Sequence, residues 1–353
     1  MSVIKGCKPR PEVLKGDLDD AIFAADFGDL VAGRAPKVYS EPGVFFRNTH
    51  PAQPLKKVVQ SVFERLANVS EPGATIRLST GFGGGKTHAL MALWHLAENI
   101  NSASLGTELL PAAGRPKKVA VVAVDLSKPG VPVFARHGAT EVRSLWGEVF
   151  FRLGKEKTLK ELGKADDPEA SPSESQIEAV LPAGPVLILL DELVIYMAKL
   201  SERAQGNLLG FINSLTSIAA KRPQTVVVVT DPGNQAAFAT QSAQLNQALL
   251  SAATKIEDML GRRASDVDPC FGEGTGDLSG LLYRQMQRET STAGRLRRVF
   301  ECLGGAYPEW PDWLLRELEG FYRTLAANQR QGRLIGREID AALDDPRWLA
   351  QRG

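Results

Sequence analysis

Thr80-Gly81-Phe82-Gly83-Gly84-Gly85-Lys86-Thr87 stands between a strand-like run, Ala74-Thr75-Ile76-Arg77-Leu78-Ser79, and an apolar helical run, Ala89-Leu90-Met91-Ala92-Leu93-Trp94. Strand, glycine loop, Lys-Thr and helix make the layout that grips nucleotide phosphates, the Walker A motif. Glycines let the backbone turn several N–H groups inward as a nest for anionic oxygens. The helix N-terminus adds about half a positive charge at the same spot. Lys86 is expected to reach the β/γ-phosphates of ATP, and the Thr87 hydroxyl to ligate Mg²⁺. The motif is relaxed, because the first glycine's place holds Thr80; either Gly81 takes the turn or Thr80 fits a different one. A dinucleotide fingerprint is excluded, since the third glycine's place is Lys86.

A second motif supports the first. Val186-Leu187-Ile188-Leu189-Leu190 is a continuous apolar run, as a parallel strand buried on both faces requires, and it ends in Asp191-Glu192. In a Walker B arrangement the Asp holds the metal and the following Glu polarises the attacking water. Two carboxylates at the end of a buried strand are costly without a cation nearby. Mg²⁺ and Lys86 would supply it. A third strand, Gln224-Thr225-Val226-Val227-Val228-Val229, ends in Thr230-Asp231. Thr230 is the first candidate to touch the γ-phosphate or the water, and Asp231 the second. Arg262 and Arg263 follow a helical pattern from about Gln235 to Leu260. They read either as an arginine finger for a neighbouring site or as a solvated pair at a helix end.

The 353 residues divide into a helical lead-in (1–70), an ATPase-like core (71–268) and a C-terminal segment (269–353). In the lead-in, Leu18 to Val31 reads as an amphipathic helix, and Leu55, Val58, Val62, Phe63 and Leu66 mark a second. The core alternates strands Ala74–Ser79, Val119–Asp125, Val186–Leu190 and Thr225–Val229 with helices Thr87–Ile100, Glu141–Leu153 and Glu202–Lys221. That alternation predicts an α/β fold, a parallel sheet between two helical layers, with ligands at the strands' carboxyl ends. Ala165–Gln176 reads as a surface loop. Helices are expected near Leu281–Leu303, Trp313–Asn328 and Arg337–Leu349, and the last segment reads as a helical lid, a poorly folded tail or the product of a reading-frame change in a longer gene.

Composition narrows the class. Net charge is +1, so no overall basicity points to nucleic acid. No apolar run approaches the ~20 residues that span a bilayer. Met1-Ser2-Val3-Ile4-Lys5-Gly6 lacks the apolar region of a signal peptide, and Cys7, Cys270 and Cys302 are scattered. Both features point to the cytoplasm. His50, His88, His95 and His137 read as ordinary core or surface histidines rather than a zinc set.

Several stretches carry a family likeness. They are Pro9-Arg10-Pro11-Glu12-Val13-Leu14, Ile22-Phe23-Ala24-Ala25-Asp26, Phe45-Phe46, Gly83-Gly84-Gly85-Lys86-Thr87-His88, Leu145-Trp146-Gly147-Glu148 and Asp191-Glu192-Leu193. Over residues 8 to 268 the chain resembles the prokaryotic AAA+ ATPases of the "domain of unknown function 499" family, and residues 270 to 353 depart from that pattern. The resemblance implies a three-layer P-loop NTPase fold, with the loop from Thr80 to His88 around the nucleotide. It also implies a homo-oligomer or larger complex. A link to phage defence or DNA processing, and with it a nucleic-acid partner, comes from the family alone. Three activities remain open at this point: ATP hydrolysis, a nucleotide-dependent scaffold or sensor, and phosphoryl transfer to another acceptor.

Overall fold

Runs of Val, Ile and Leu bury both of their faces only when helices cover both sides of a sheet, and that is the architecture these runs adopt. The computed structural model describes residues 8–9, 25–80, 85–232, 243–261, 263–267 and 286–287. In chain order the strands are β1 (Ala74–Thr80), β2 (Ala120–Asp125), the hairpin pair β3 (Ala135–His137) and β4 (Thr140–Val142), β5 (Val186–Asp191), β6 (Thr225–Pro232) and β7 (Ser265–Val267). Five of them form one sheet in the order β2-β5-β6-β1-β7, and every neighbouring pair is parallel. The chain therefore folds as an α/β unit. The β1 and β5 strands, which carry the two main motifs, are not neighbours; β6 runs between them.

The helices that position the site are α1 (Phe27–Val31), α2 (Gln53–Ala67), α3 (Lys86–Glu98), α4 (Leu145–Gly154), α5 (Glu156–Leu162), α6 (Glu174–Val180), α7 (Leu193–Ala198), α8 (Glu202–Lys221) and α9 (Ala243–Leu260). One apolar cluster joins Val122, Val124, Val186, Ile188, Leu190, Val227 and Val229 to buried residues of α4, α6, α7, α8 and α9. The alternate strand residues face the other way. There α3 lies against the sheet, with α1 and α2 packed beside it. Leu90, Met91, Ala92 and Leu93 of α3 are all fully buried, as befits a helix enclosed by a sheet below and helices above.

The structure revises several boundaries. The expected helix from Glu141 begins at Leu145, because Thr140–Val142 pairs antiparallel with Ala135–His137 and Ser144 caps the helix through the Gly147 N–H. The expected loop Ala165–Gln176 is shorter. Ser173 and Gln176 form a capping box that starts α6 at Glu174. A fifth sheet strand, β7, lies on the edge beside β1. The expected helices Leu18–Val31 and Gln235–Leu260 are described only over Phe27–Val31 and Ala243–Leu260. Of the expected helix Leu281–Leu303 only Met286–Gln287 is described, and it is a strand rather than a helix, because it pairs antiparallel with Lys8–Pro9. The expected helices Trp313–Asn328 and Arg337–Leu349 lie outside the described residues.

The chain divides into two compact units, one of residues 26–35 and 53–270 and the other of 1–25, 36–52 and 271–353. The first holds the five-stranded sheet. In the second, the described residues include two short helices, Lys37–Ser40 and Pro42–Arg47, and a pairing of Lys8–Pro9 with Met286–Gln287. Among the described residues, no helix is long and apolar enough to cross a membrane.

The entry to β1 shows how tightly the sheet is seated. The Gly73 N–H donates to the Arg222 carbonyl at 3.2 Å. A β-carbon on Gly73 would fall 1.9 Å from the Thr225 carbonyl oxygen and 2.6 Å from that of Ala219. Both are backbone atoms that cannot swing aside. Gly73→Ala is therefore expected to cost about 1–3 kcal/mol and to lower Tm by several degrees. Thermal unfolding followed by circular dichroism checks this, and an unchanged Tm contradicts it.

Candidate functional site

Strand parity aims the polar ends of the sheet at one place. Side chains alternate faces along a strand. Val186, Ile188 and Leu190 join the cluster on the α4–α8 side, so Asp191 faces the α3 side. By the same alternation from Val227 and Val229, Thr230 faces α3. So does Asp125, from Val122 and Val124. Helix α3 begins at Lys86 on that face. Lys86, Thr87, Asp191 and Thr230 are thus gathered at the carboxyl ends of the strands, although their motifs are far apart in the chain.

Asp191 is the centre of the group. It is only 3% exposed. The Thr230 hydroxyl donates to Asp191 Oδ1 at 2.5 Å, and the Glu192 N–H donates to Thr230 Oγ1 at 2.9 Å. A single hydroxyl thus ties the end of β5 to the end of β6. The Thr87 hydroxyl also lies close enough to Asp191 to favour its charged form. Burial pushes the Asp191 carboxyl up to about 6, and the negative charge of Asp125 adds to the rise. The hydroxyls of Thr230 and Thr87 and the charge of Lys86 oppose it. Desolvation prevails because a carboxylate withdrawn from water loses more than two hydroxyls return.

At the site, Gly85 and Glu192 are held in the left-handed region. Gly85 has φ 71° and forms the N-cap of α3, so the last glycine of the loop supplies the sharp entry into the helix. Glu192 has φ 59°, which costs a non-glycine residue on the order of 1 kcal/mol or more. The Thr230 bond to its N–H helps hold that conformation. The Glu192 side chain does not cap α7 and is half-buried at the site.

The remaining expected residues fall variously. The Thr80 backbone ends β1, level with Pro232, and Asp231 pairs with Ser79. His88 is half-buried on the first turn of α3. Arg263 is exposed, and its guanidinium donates to the Asn213 carbonyl at 3.3 Å. It precedes β7, so it lies at the amino end of the sheet, away from Asp191 of the same chain. Gly81, Phe82, Gly83, Gly84 and Arg262 lie outside the described residues.

One acidic residue was missed in the sequence. Asp125 ends β2 in register with Asp191, and its side chain is 8% exposed. The available signal was the same as for Asp191, an acidic residue closing a buried apolar strand. Asp125 is followed by Leu126-Ser127-Lys128 rather than by a second acid, so nothing local marked it.

The donor set fits a hard divalent cation. Thr87 and Asp191 offer oxygen atoms near one another, beside the negative charge of Asp125. Magnesium is usually held by one or two carboxylates together with substrate phosphates and water, not by a protein cage. Among the described residues, no three His, Cys, Asp or Glu side chains gather to hold a metal.

The sequence profile of the DUF499 N-terminal domain matches residues 3–265 of the chain. No curated protein matches it.

The buried carboxyl predicts a pH dependence. Asp191 ionises near 3.8 when unfolded and near 6 when folded, so the folded chain holds an extra proton between those values. Its contribution to stability is fully present below the lower value and is lost as pH rises through the upper one. The loss amounts to about 3 kcal/mol. Asp191→Asn is expected to flatten this part of the profile. Denaturant unfolding of the nucleotide-free chain from about pH 4 to 7 checks it, and parallel profiles for the two proteins contradict it.

Proposed function

The chain belongs to the DUF499 family, and on that premise we propose that it is an ATP-hydrolysing P-loop ATPase of the AAA+ type. The observation that carries this reading is that the Thr87 hydroxyl and the Lys86 charge, both from the glycine-loop motif, act on the buried Asp191 carboxyl that ends β5. Two motifs far apart in sequence supply the anion-binding and cation-binding halves of a nucleotide site, and the fold brings the halves into contact. The β6 strand, placed between β1 and β5, separates the two motif strands by about 9.6 Å, two strand spacings. A triphosphate and its metal need a gap of that order.

In this reading the first turn of α3 presents backbone N–H groups to the phosphates, and the Lys86 ammonium neutralises the β/γ-oxygens. Thr87 and Asp191 hold Mg²⁺, which offsets charge on the phosphate oxygens when bound. Glu192 takes a proton from a water as its oxygen attacks the γ-phosphorus in line. The bond to the β–γ bridging oxygen breaks, its electron pair stays on ADP, and inorganic phosphate leaves. Catalysis is positioning and charge stabilisation, since no covalent bond to the protein forms. Thr230 fixes Asp191 and the backbone of Glu192, which makes it a positioning residue. Arg263, set apart from its own chain's Asp191, serves the reaction only in an oligomer, by reaching a neighbour's site. Participation in phage defence or DNA processing rests on the family likeness alone.

A second reading has one observation in its favour. The Thr230 hydroxyl is engaged at both Asp191 and Glu192, so its presentation to a γ-phosphate would require those bonds to change. A chain locked in that state is a nucleotide-dependent scaffold or sensor with little turnover. Measuring hydrolysis against protein concentration separates the two. A rate per chain that climbs with concentration marks a site completed by a neighbour, whereas tight ATP binding with a flat, near-zero rate marks the sensor.

For the ATPase, Lys86→Ala is expected to abolish measurable ATP binding. Glu192→Gln is expected to retain binding and to lose about a hundredfold in turnover. Equilibrium binding and phosphate release measured on the same preparations check both. Unchanged affinity in the first variant, or unchanged turnover in the second, overturns the corresponding assignment.

A further inference from the structure

The carboxylate beside Asp191 is held from behind by a helix that the two motifs do not include. In-register residues of parallel neighbours sit about 4.8 Å apart and face the same side, which sets Asp125 next to Asp191. Asp125 Oδ1 accepts the Ser127 N–H at 2.9 Å. The Lys128 ammonium stands 4.0 Å from Asp125 Oδ2. That ammonium is shared, lying 2.6 Å from Asp26 Oδ2 and 3.1 Å from Asp29 Oδ1. Both partners belong to α1, where Asp26 is the N-cap and accepts the Asp29 N–H at 2.8 Å.

Between these two acids, Gly28 lies directly against the carboxylate. A β-carbon at Gly28 would fall 2.5 Å from Asp125 Oδ2. The loop that carries Ser127 and Lys128 is pinned from a different direction. Lys199, at the C-cap of α7, donates to the Ser127 carbonyl at 2.6 Å and the Pro129 carbonyl at 3.2 Å. Asp125 therefore cannot turn away from the site without displacing α1 or this loop.

The charges leave this end of the sheet short of cation. Lys128 is divided among Asp26, Asp29 and Asp125. Lys199 also feels the charge of Asp125, and Lys86 that of Asp191. Three lysines thus face four acids, and Asp125 and Asp191 remain neighbours in a buried place. Such a pair is relieved by a divalent ion. Mg²⁺ keeps several of its waters, and carboxylates outside the coordination sphere tune metal affinity through such groups.

We propose that α1 is a strap that holds Asp125 in place, and that Asp125 is a positioning residue strengthening the metal-dependent part of nucleotide binding. This rests on the ATP·Mg²⁺ reading given above. Residues 26–35 belong to the sheet's unit, while the stretches on either side of them in the chain, 1–25 and 36–52, belong to the other unit. Displacement of α1 would reach the site through Gly28 and Lys128.

The test titrates a fluorescent ATP analogue into the full chain, once with Mg²⁺ and once with EDTA. Asp125→Asn and Gly28→Ala are each expected to weaken the Mg²⁺-dependent gain in affinity about tenfold, with binding in EDTA unchanged. Alanine favours a helix over glycine, so a loss in Gly28→Ala comes from the displaced carboxylate rather than from α1 unwinding. In an Asp125→Ala background, Gly28→Ala is expected to cost nothing further, because no carboxylate remains to be pushed. An intact Mg²⁺ gain in Asp125→Asn overturns the proposal. So does an undiminished effect of Gly28→Ala in the Asp125→Ala background, which would mark a merely structural helix. A wild-type chain that binds the analogue in neither condition overturns the ATP reading itself; normal wild-type binding with unaffected single variants overturns the strap alone.

Discussion

A carboxylate withdrawn from water must find hydrogen bonds or a cation, and the need of Asp191 for both organises this end of the molecule. Thr230 reaches it from one strand and Thr87 from the helix that follows another, with Lys86 alongside. The same Thr230 hydroxyl accepts the Glu192 N–H, so satisfying Asp191 also holds the next residue in a left-handed conformation. One small side chain thus links the burial of one acid to the pose of the other. Hydroxyls alone do not restore the ordinary acidity of Asp191, which stays raised. The site is therefore built with an unmet preference for positive charge.

The sheet order makes this convergence possible. Had β1 and β5 been adjacent, the loop after β1 and the acid ending β5 would compete for the same space. With β6 between them, Thr230 near its end supplies the clamp to Asp191 and Glu192. Parity does the rest. Asp125, Asp191 and Thr230 each sit an odd number of positions from the apolar residues that fill the opposite face, so the packing of that core sets the orientation of all three.

Much of this could be read in the chain. The Val-rich and Leu-rich runs announced buried strands, their polar ends pointed to Asp191, Glu192 and Thr230, and the glycine loop pointed to Lys86. Glu202–Lys221 matched its expected helix to the residue because Ser201 caps it and the apolar spacing holds throughout. What escaped was set by tertiary context. The edge strand Ser265–Val267 has three residues and no alternating pattern, and it forms because β1 offers a free edge. The hairpin Ala135–Val142 is too short for a periodic signal. Strand register brings Asp125 to Asp191, and local sequence does not encode register. The approach of Gly28 to Asp125 joins segments about a hundred residues apart, beyond any window of pattern.

The account stands on Lys86, Thr87 and Asp191 acting as one site for a triphosphate and its metal. The most direct measurement is a crystal structure with a non-hydrolysable ATP analogue and Mn²⁺, using anomalous scattering to locate the ion. The account predicts an anomalous peak at Thr87 and Asp191, with the phosphates against Lys86. A manganese peak and nucleotide bound elsewhere on the molecule, or a chain that takes up neither at saturating concentration, would contradict it.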